Sequence, residues 1–440
     1  MNNYFQAVLI FFIYLIFTIF IRWDQGSWFK PAALFCLVWT FFLGVCLLFA
    51  PDYYYSAPAL LFIFSCILVF FEGSFLQKAI QPDNPINQPK KNDLQIYFRS
   101  EKLMLYLLIL GMIMGLLAVV LLLTRHDLMI GDFFSIDSYI NSAKVLTAER
   151  YNGISLGLSI LASISVAYTG VLIGGMVLGL TKKKIYRVFS FLLLIPIALF
   201  TLLYTARAIL LFALLLFFSS YMASRYFFLG DQFRLFTRKK VISGIVCIIL
   251  VPALFLITQT ARMNIHDFSL ENFKGVADHL RVWFFGNVSA FSVWFDKEID
   301  YFSPLYGKYT FGGIYEKISG TKREMGIFSD LVVINDQGTV TNVYTVFRSL
   351  LEDYTLPGVY VISFCLGIFS SWCTKRLLQH DLFSIGILSV IYGFLSWSII
   401  GSCFVYNSVI FAYLMFILIL GLIVIFKKSN DVQEDRDIAS

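Results

Sequence analysis

About eleven stretches of this chain, each about 18–28 residues long, are almost free of charge, and their recurrence dictates most of what the chain can become. At 1.5 Å per residue, a helix of that length crosses the ~30 Å hydrocarbon layer of a bilayer. The stretches run roughly over 4–21, 31–50, 58–76, 103–124, 153–180, 186–204, 208–224, 241–260, 356–373, 382–400 and 407–426. Hydrophobic residues fill 59% of the 440 positions and charged residues only 14%, too little charge to solvate a globular surface of this size. The expected fold class is therefore all-α: a polytopic membrane protein with about 11 transmembrane helices and one large, partly helical outer loop. A single membrane domain is expected over 1–440, with the loop inserted at 261–343 and a short cytoplasmic tail at 427–440. The first residues, Met-Asn-Asn-Tyr-Phe-Gln, lack a basic n-region, and no small-residue cleavage site follows, so the first stretch reads as a retained span.

Charge distribution orients the spans. With the N-terminus outside, the basic residues concentrate in 22–30, 77–102, 181–185, 225–240, 374–381 and the tail from Lys427, as cytoplasmic segments require. The net charge of +6 then faces anionic inner-leaflet lipid rather than nucleic acid. From Val188 to Ser224 the only charge is Arg207, between the basic flanks Lys182-Lys183-Lys184 and Arg238-Lys239-Lys240. Two crossings with a tight turn at Thr205-Ala206-Arg207 satisfy both flanks. The seven cysteines, Cys36, Cys46, Cys66, Cys247, Cys365, Cys373 and Cys403, lie in or beside apolar stretches without a Cys-x-x-Cys pair. They read as packing residues rather than a disulfide framework or zinc site.

Chemistry is best sought in the large loop and at the outer span ends. The segments expected inside carry neither G-x-x-x-x-G-K nor G-x-G-x-x-G. Arg207 and Arg262 each end a Thr-Ala-Arg tripeptide at the outer end of a span, where a guanidinium could grip a lipid pyrophosphate or simply snorkel to headgroups. His266 and His279 are two of four histidines and could exchange protons near neutral pH. Asp296-Lys297-Glu298-Ile299-Asp300 reads as a solvated helix end rather than a divalent-ion site, and no metal is expected. Ser269 to Phe295 has apolar residues at helical spacing and is expected to form an amphipathic helix, in the outer interface or capping the bundle. A second helix is expected from Ile314.

The most informative stretch is Asn342-Val343-Tyr344-Thr345-Val346-Phe347-Arg348, followed by Glu352-Asp353-Tyr354 and Pro357-Gly358. If helical, it sets Asn342, Thr345 and Arg348 on one face, with Glu352 four residues beyond Arg348. An amide, a hydroxyl, a cation and a carboxylate would then share one stripe just before a span. The plainer reading is an interfacial helix with an Arg348–Glu352 pair.

This stretch resembles the oligosaccharide repeat unit polymerases, the Wzy-type O-antigen and capsule polymerases, which show an N-[VA]-Y-T-x-[FL]-R-like run followed by D-F-G and a further glycine. Asp353-Tyr354-Thr355 with Gly358 stands in place of the D-F-G. Gly307-Lys308-Tyr309-Thr310-Phe311 is similar to the family's G-x-x-T-F, Gly286 to Phe291 to a G-x-x-x-A-F-like stretch, and Thr205-Ala206-Arg207 to the turn of a tight hairpin. The resemblance spans about 185–375, and an R-x10-G motif described for some members is absent. It implies a nucleotide-sugar-independent membrane glycosyltransferase of the bacterial cytoplasmic (inner) membrane, without cofactor. The substrate would be an undecaprenyl-pyrophosphate-linked oligosaccharide, and a chain-length regulator and a flippase would be natural partners. Arg207, Arg262 and Arg348 would serve the pyrophosphate, and Glu352, Asp353 or His279 would be the base. Asn342, Tyr344 and Thr345 would contact sugar. A lipid-linked oligosaccharide flippase or a related O-antigen ligase are the competing expectations.

Overall fold

The computed structural model describes residues 2–80, 101–129, 131, 135–152, 156–233, 252–263, 265, 269–298, 303–320 and 327–439. Helix dominates. In chain order the elements are α1 (Asn2–Gln25), α2 (Pro31–Phe49), α3 (Ala57–Ile80), α4 (Glu101–Arg125), α5 (Ile136–Tyr151), α6 (Leu158–Leu180), α7 (Lys184–Leu192), α8 (Leu194–Tyr204) and α9 (Arg207–Leu229). There follow α10 (Leu270–Glu298), α11 (Gly312–Ser319), β1 (Val332–Val333), β2 (Val340–Thr341), α12 (Val346–Leu378), α13 (Phe383–Trp397) and α14 (Asn407–Ala439). Among the described residues, nine helical segments are long and apolar enough to cross a membrane, counting α7 and α8 together, and α13 is a shorter apolar helix. The chain is a multi-pass helical membrane protein. Of the span expected at 241–260, residues 241–251 lie outside the described residues, and 252–260 are helical.

The chain divides into two compact units. The first holds residues 1–86, 277–379 and 391–407. Its core is the crossing of α3 with α12, where Gly73 meets the Phe364 carbonyl and Gly367 meets the Phe70 carbonyl so closely that a Cβ at either position would collide. Each glycine lets the other backbone approach, which is how helices gain dispersion contact where lipid removes the hydrophobic drive between them. Several buried polar side chains in this unit pair with one another, as an apolar surrounding favours. Thr18 and Thr40 join α1 to α2 through their hydroxyls at 2.6 Å, and the Trp39 indole donates to Ser398 Oγ at 2.9 Å.

The second unit holds residues 87–276, 380–390 and 408–440. Its centre is α6, which meets α4 at Gly111 and Gly170 and α9 at Gly175 and Gly179. The expected tight hairpin is present between α8 and α9. Thr205 turns the chain with a left-handed φ of 54°, Ala206 is extended, and α9 starts at Arg207. The turn is held by α5, from which Thr147 shares a hydroxyl hydrogen bond with Thr205 at 3.0 Å and Tyr139 donates to the Leu202 carbonyl at 3.0 Å.

One expectation about the large loop needs correction. The helix expected over 269–295 forms, but its second half is neither interfacial nor a cap: Asn287 through Ser292 have no exposed surface. Small residues permit this insertion. Ser292 bonds back to the Val288 carbonyl at 2.9 Å, so no hydroxyl is stranded, while Phe291 packs against Phe62 and Phe347. The solvated helix end expected at Asp296 is present, with Asp296, Lys297 and Glu298 exposed where α10 ends, and the Asp296 carboxylate also accepts from the Tyr54 hydroxyl at 2.7 Å and the Ser56 hydroxyl at 2.6 Å.

Candidate functional site

The chain approaches α12 in extended form. β1 and β2 pair Val332 with Thr341 and Val333 with Val340, and the Asn342 amide then donates to the Phe328 carbonyl at 3.0 Å. The β-branched Val343 and Thr345 favour the same conformation. Thr345 is still extended, and α12 begins at Val346, whose N–H bonds the Ser398 carbonyl at 2.9 Å. The expected helical stripe through Asn342, Thr345 and Arg348 is therefore not formed, because hairpin and side-chain bonds claim the backbone before it can coil.

From Arg348 the helical spacing holds. Arg348 Nε donates to Glu352 Oε1 at 2.7 Å, one turn ahead. The other edge of the guanidinium faces a residue that the sequence did not single out: Nη1 and Nη2 reach the two Asp330 oxygens at 2.8 and 3.0 Å. This is a two-pronged fork between planar groups, and it leaves the cation charge-balanced by two carboxylates. Aromatic rings wall it in, with the guanidinium carbon 3.9 Å from the Phe328 ring centre, 4.1 Å from Tyr344 and 5.1 Å from Trp294. Burial raises the Asp330 carboxyl, but the Arg348 bonds outweigh it and hold it below the ordinary carboxylate value. Burial pushes the Tyr344 phenol well above its ordinary value, and its hydroxyl donates to Asp330 Oδ2 at 3.0 Å. Arg348 is therefore no open cation waiting for a phosphate, which corrects its expected part. It is a bracket that fixes Glu352 and Asp330.

Asp353 has a different surrounding. Fully buried, it accepts from the backbone N–H of Tyr309 at 3.1 Å and of Thr310 at 2.6 Å. Its carboxylate anchors the Gly307–Phe311 turn. Glu352 is the more available group. It accepts one bond, through Oε1, and no other described residue donates to its second oxygen.

Helix α12 breaks directly after these carboxylates. Thr355 has φ 60° and ψ 174°, a region natural mainly to glycine, and Pro357 has no N–H to bond back. The carbonyls of Glu352 and Asp353 are thereby released from the helix ladder, and the N–H groups of Leu305 and Tyr306 take them at 3.0 and 3.1 Å. One break thus docks the 303–311 segment onto the end of the first helical arm. Strain of about 1–3 kcal/mol at such a residue persists only where the surroundings enforce it, and it concentrates at functional sites.

Three of the stretches singled out in the sequence meet here within the first unit. Tyr309 and Thr310 hold Asp353, Phe291 packs on Phe347, and Asn287 donates to the Ile399 carbonyl in the unwound segment after α13. Asn342, Tyr344, Thr345, Arg348, Glu352 and Asp353 are brought together, with Thr345 fully buried. No contact that builds this cluster involves His279, which stands exposed on α10. Arg207 and Arg262 belong to the second unit, Arg207 buried at the first position of α9 and Arg262 half-buried at the end of the helical stretch 252–262. His266 and Asp300 lie outside the described residues. Asp330 was missed because a lone Asp between Ser329 and Leu331 carries no pattern; only its partner, 18 residues on, gives it meaning.

Comparison with protein-family models, with curated proteins and with solved structures finds no match.

Proposed function

We propose that this chain is a polysaccharide polymerase of the Wzy type, joining oligosaccharide repeat units carried on undecaprenyl pyrophosphate at the outer face of a bacterial cytoplasmic membrane. In this reading it has eleven spans, with the N-terminus outside. The observation that carries the proposal is the convergence, inside one compact unit, of 286–291, 307–311 and 342–358 around Glu352. Those stretches bear the resemblance, and they are far apart in sequence.

The chemistry follows from the bracket. Arg348 fixes Glu352 through Oε1 and leaves the second oxygen to accept the proton of an acceptor sugar hydroxyl. The hydroxyl oxygen then forms a bond to the anomeric carbon of the growing chain. The bond from that carbon to the pyrophosphate oxygen breaks, and its electron pair leaves with the pyrophosphate. Arg348 is already balanced by Asp330 and Glu352, so it positions the base and is not assigned to the pyrophosphate. Exposed Tyr306 and half-exposed Phe311 offer ring faces on which a sugar can lie. Neither nucleotide nor divalent metal has a part.

Deleting the chain and resolving the surface glycan on a gel tests the proposal. A polymerase leaves a single capped repeat unit. Loss of all surface glycan would instead point to a flippase or ligase, and an unchanged ladder would exclude every one of these roles.

A further inference from the structure

Helix α3 is apolar over most of its length, yet it carries Glu72, which is exposed and which no described residue bonds or pairs with. The helix places this acid deep. Lys78, paired with Asp24 at 3.3 Å, lies six positions on, about 9 Å along the axis. Ala57, where α3 begins, lies fifteen positions back, about 22 Å. In a hydrocarbon layer ~30 Å thick, Glu72 therefore stands well inside the nearer boundary, beyond the reach of its own short side chain. Intramembrane acids almost always face other helices or water and pair with a cation or a donor. Charged, such a group has lost its hydration; protonated, it still leaves a donor and an acceptor unmet.

The surface beside Glu72 is shaped to be covered. By i, i+4 spacing Glu72 shares a stripe of α3 with Leu76 and Ile80. Those two line a groove of about 380 Å³ against Cys365, Ile368, Phe369 and Trp372 of α12. Its floor is firm, because Gly73 and Gly367 hold the two helices backbone to backbone. The Arg376 guanidinium lies 4.6 Å from the Trp372 ring centre, which sets that end of the groove at the headgroup level. Occupants differ in what they bring to Glu72. A lipid amine stays at the headgroups, about 9 Å short of it. A second copy turned about a two-fold axis would set the carboxylate against itself. A helix with a basic side chain at that depth fills the apolar groove and cancels the charge, without exposing any backbone group. We propose that this groove docks a transmembrane helix of a partner protein, which sets a lysine or arginine against Glu72.

The test reconstitutes the full chain in phosphatidylcholine vesicles with a synthetic leucine-rich helix of about 22 residues. The helix carries one lysine at the depth of Glu72 and one cysteine a turn away. Cys365, exposed in the same groove, reports docking through disulfide trapping by copper phenanthroline. The lysine helix should be trapped about threefold to thirtyfold more than one with leucine in its place, and Glu72→Leu should erase that difference. Glu72→Lys should reject the lysine helix and prefer one bearing glutamate. Because Glu72 is exposed, both variants should keep the parent's Tm. Equal trapping of lysine and leucine helices by the parent would overturn the proposal, as would equal trapping of the lysine helix by parent and Glu72→Leu. Loss of the lysine preference when phosphatidylethanolamine replaces phosphatidylcholine would overturn it in favour of a lipid amine. A Cys365–Cys365 dimer formed in place of the trapped helix would overturn it in favour of a second copy.

Discussion

At the scale of single residues, the proposed base Glu352 differs in kind from the groups that hold it. Glu352→Gln keeps the shape of the side chain and its bond from Arg348 but removes the base, so turnover should fall by about 10²–10⁴-fold with membrane abundance unchanged. Arg348→Ala should act differently. It strands Glu352, only 12% exposed, and unpairs Asp330, and a cost of about 3–5 kcal/mol is expected for breaking such a buried pair, read as a lower Tm and lower abundance. Activity per folded molecule thus distinguishes the two roles. Asp330 adds a pH signature. It titrates lower in the folded chain than unfolded, so the stability from its Arg348 fork is complete above the ordinary carboxylate range and fades as pH falls through the lowered value. Backbone amides of 327–344, corrected for intrinsic exchange, should stay protected from pH 7 down to the ordinary Asp value of about 3.9 and lose protection as pH falls further. Asp330→Asn should lose it throughout. The Arg348–Glu352 pair was legible from spacing alone, because four residues make one helical turn. The Asp330 fork and the Asp353 anchor were not, because each joins residues whose proximity depends on loops folding back over 18 and 44 positions.

At the scale of elements, the break in α12 is the device that joins span to loop. Thr355 bears a conformation suited to glycine, so Thr355→Gly should relieve about 1–3 kcal/mol of strain, partly offset by glycine's larger chain entropy. A net gain in Tm is expected, and a fall would mean that the Thr355 side chain contributes more than its strain costs. Pro357-Gly358 is the mark this break leaves in the sequence, and the lone charge between two basic flanks is the mark of the hairpin at Thr205. The sequence misled on α10. Aromatic residues at helical spacing are equally compatible with an interface and with a packed core, and composition alone does not distinguish them. The small residues Ser289, Ala290 and Ser292, which let this helix become fully buried, are individually unremarkable. The start of α12 was misplaced for a related reason: helical spacing from Asn342 exists on paper, but β2 and the Asn342–Phe328 bond settle the backbone first.

At the scale of the whole molecule, the spans were the most legible feature, because hydrocarbon thickness imposes a length that short-range tertiary contacts do not alter. Orientation rests on charge asymmetry between loops. Reporter fusions after Gly131, after Gly275 and at the C-terminus should read outside, outside and inside, and an inside signal at Gly275 would remove the outer-face reaction altogether. The central claim is that the chain itself elongates lipid-linked glycan with no nucleotide sugar and no divalent ion. Its most direct measurement is the chain length formed when the purified full-length protein, in lipid vesicles with excess chelator, receives undecaprenyl-pyrophosphate-linked repeat units. A ladder of products should appear, with free undecaprenyl pyrophosphate released in step and Glu352→Gln nearly silent. Repeat units that cross the membrane but never lengthen, or a ladder that Glu352→Gln leaves intact, would contradict it.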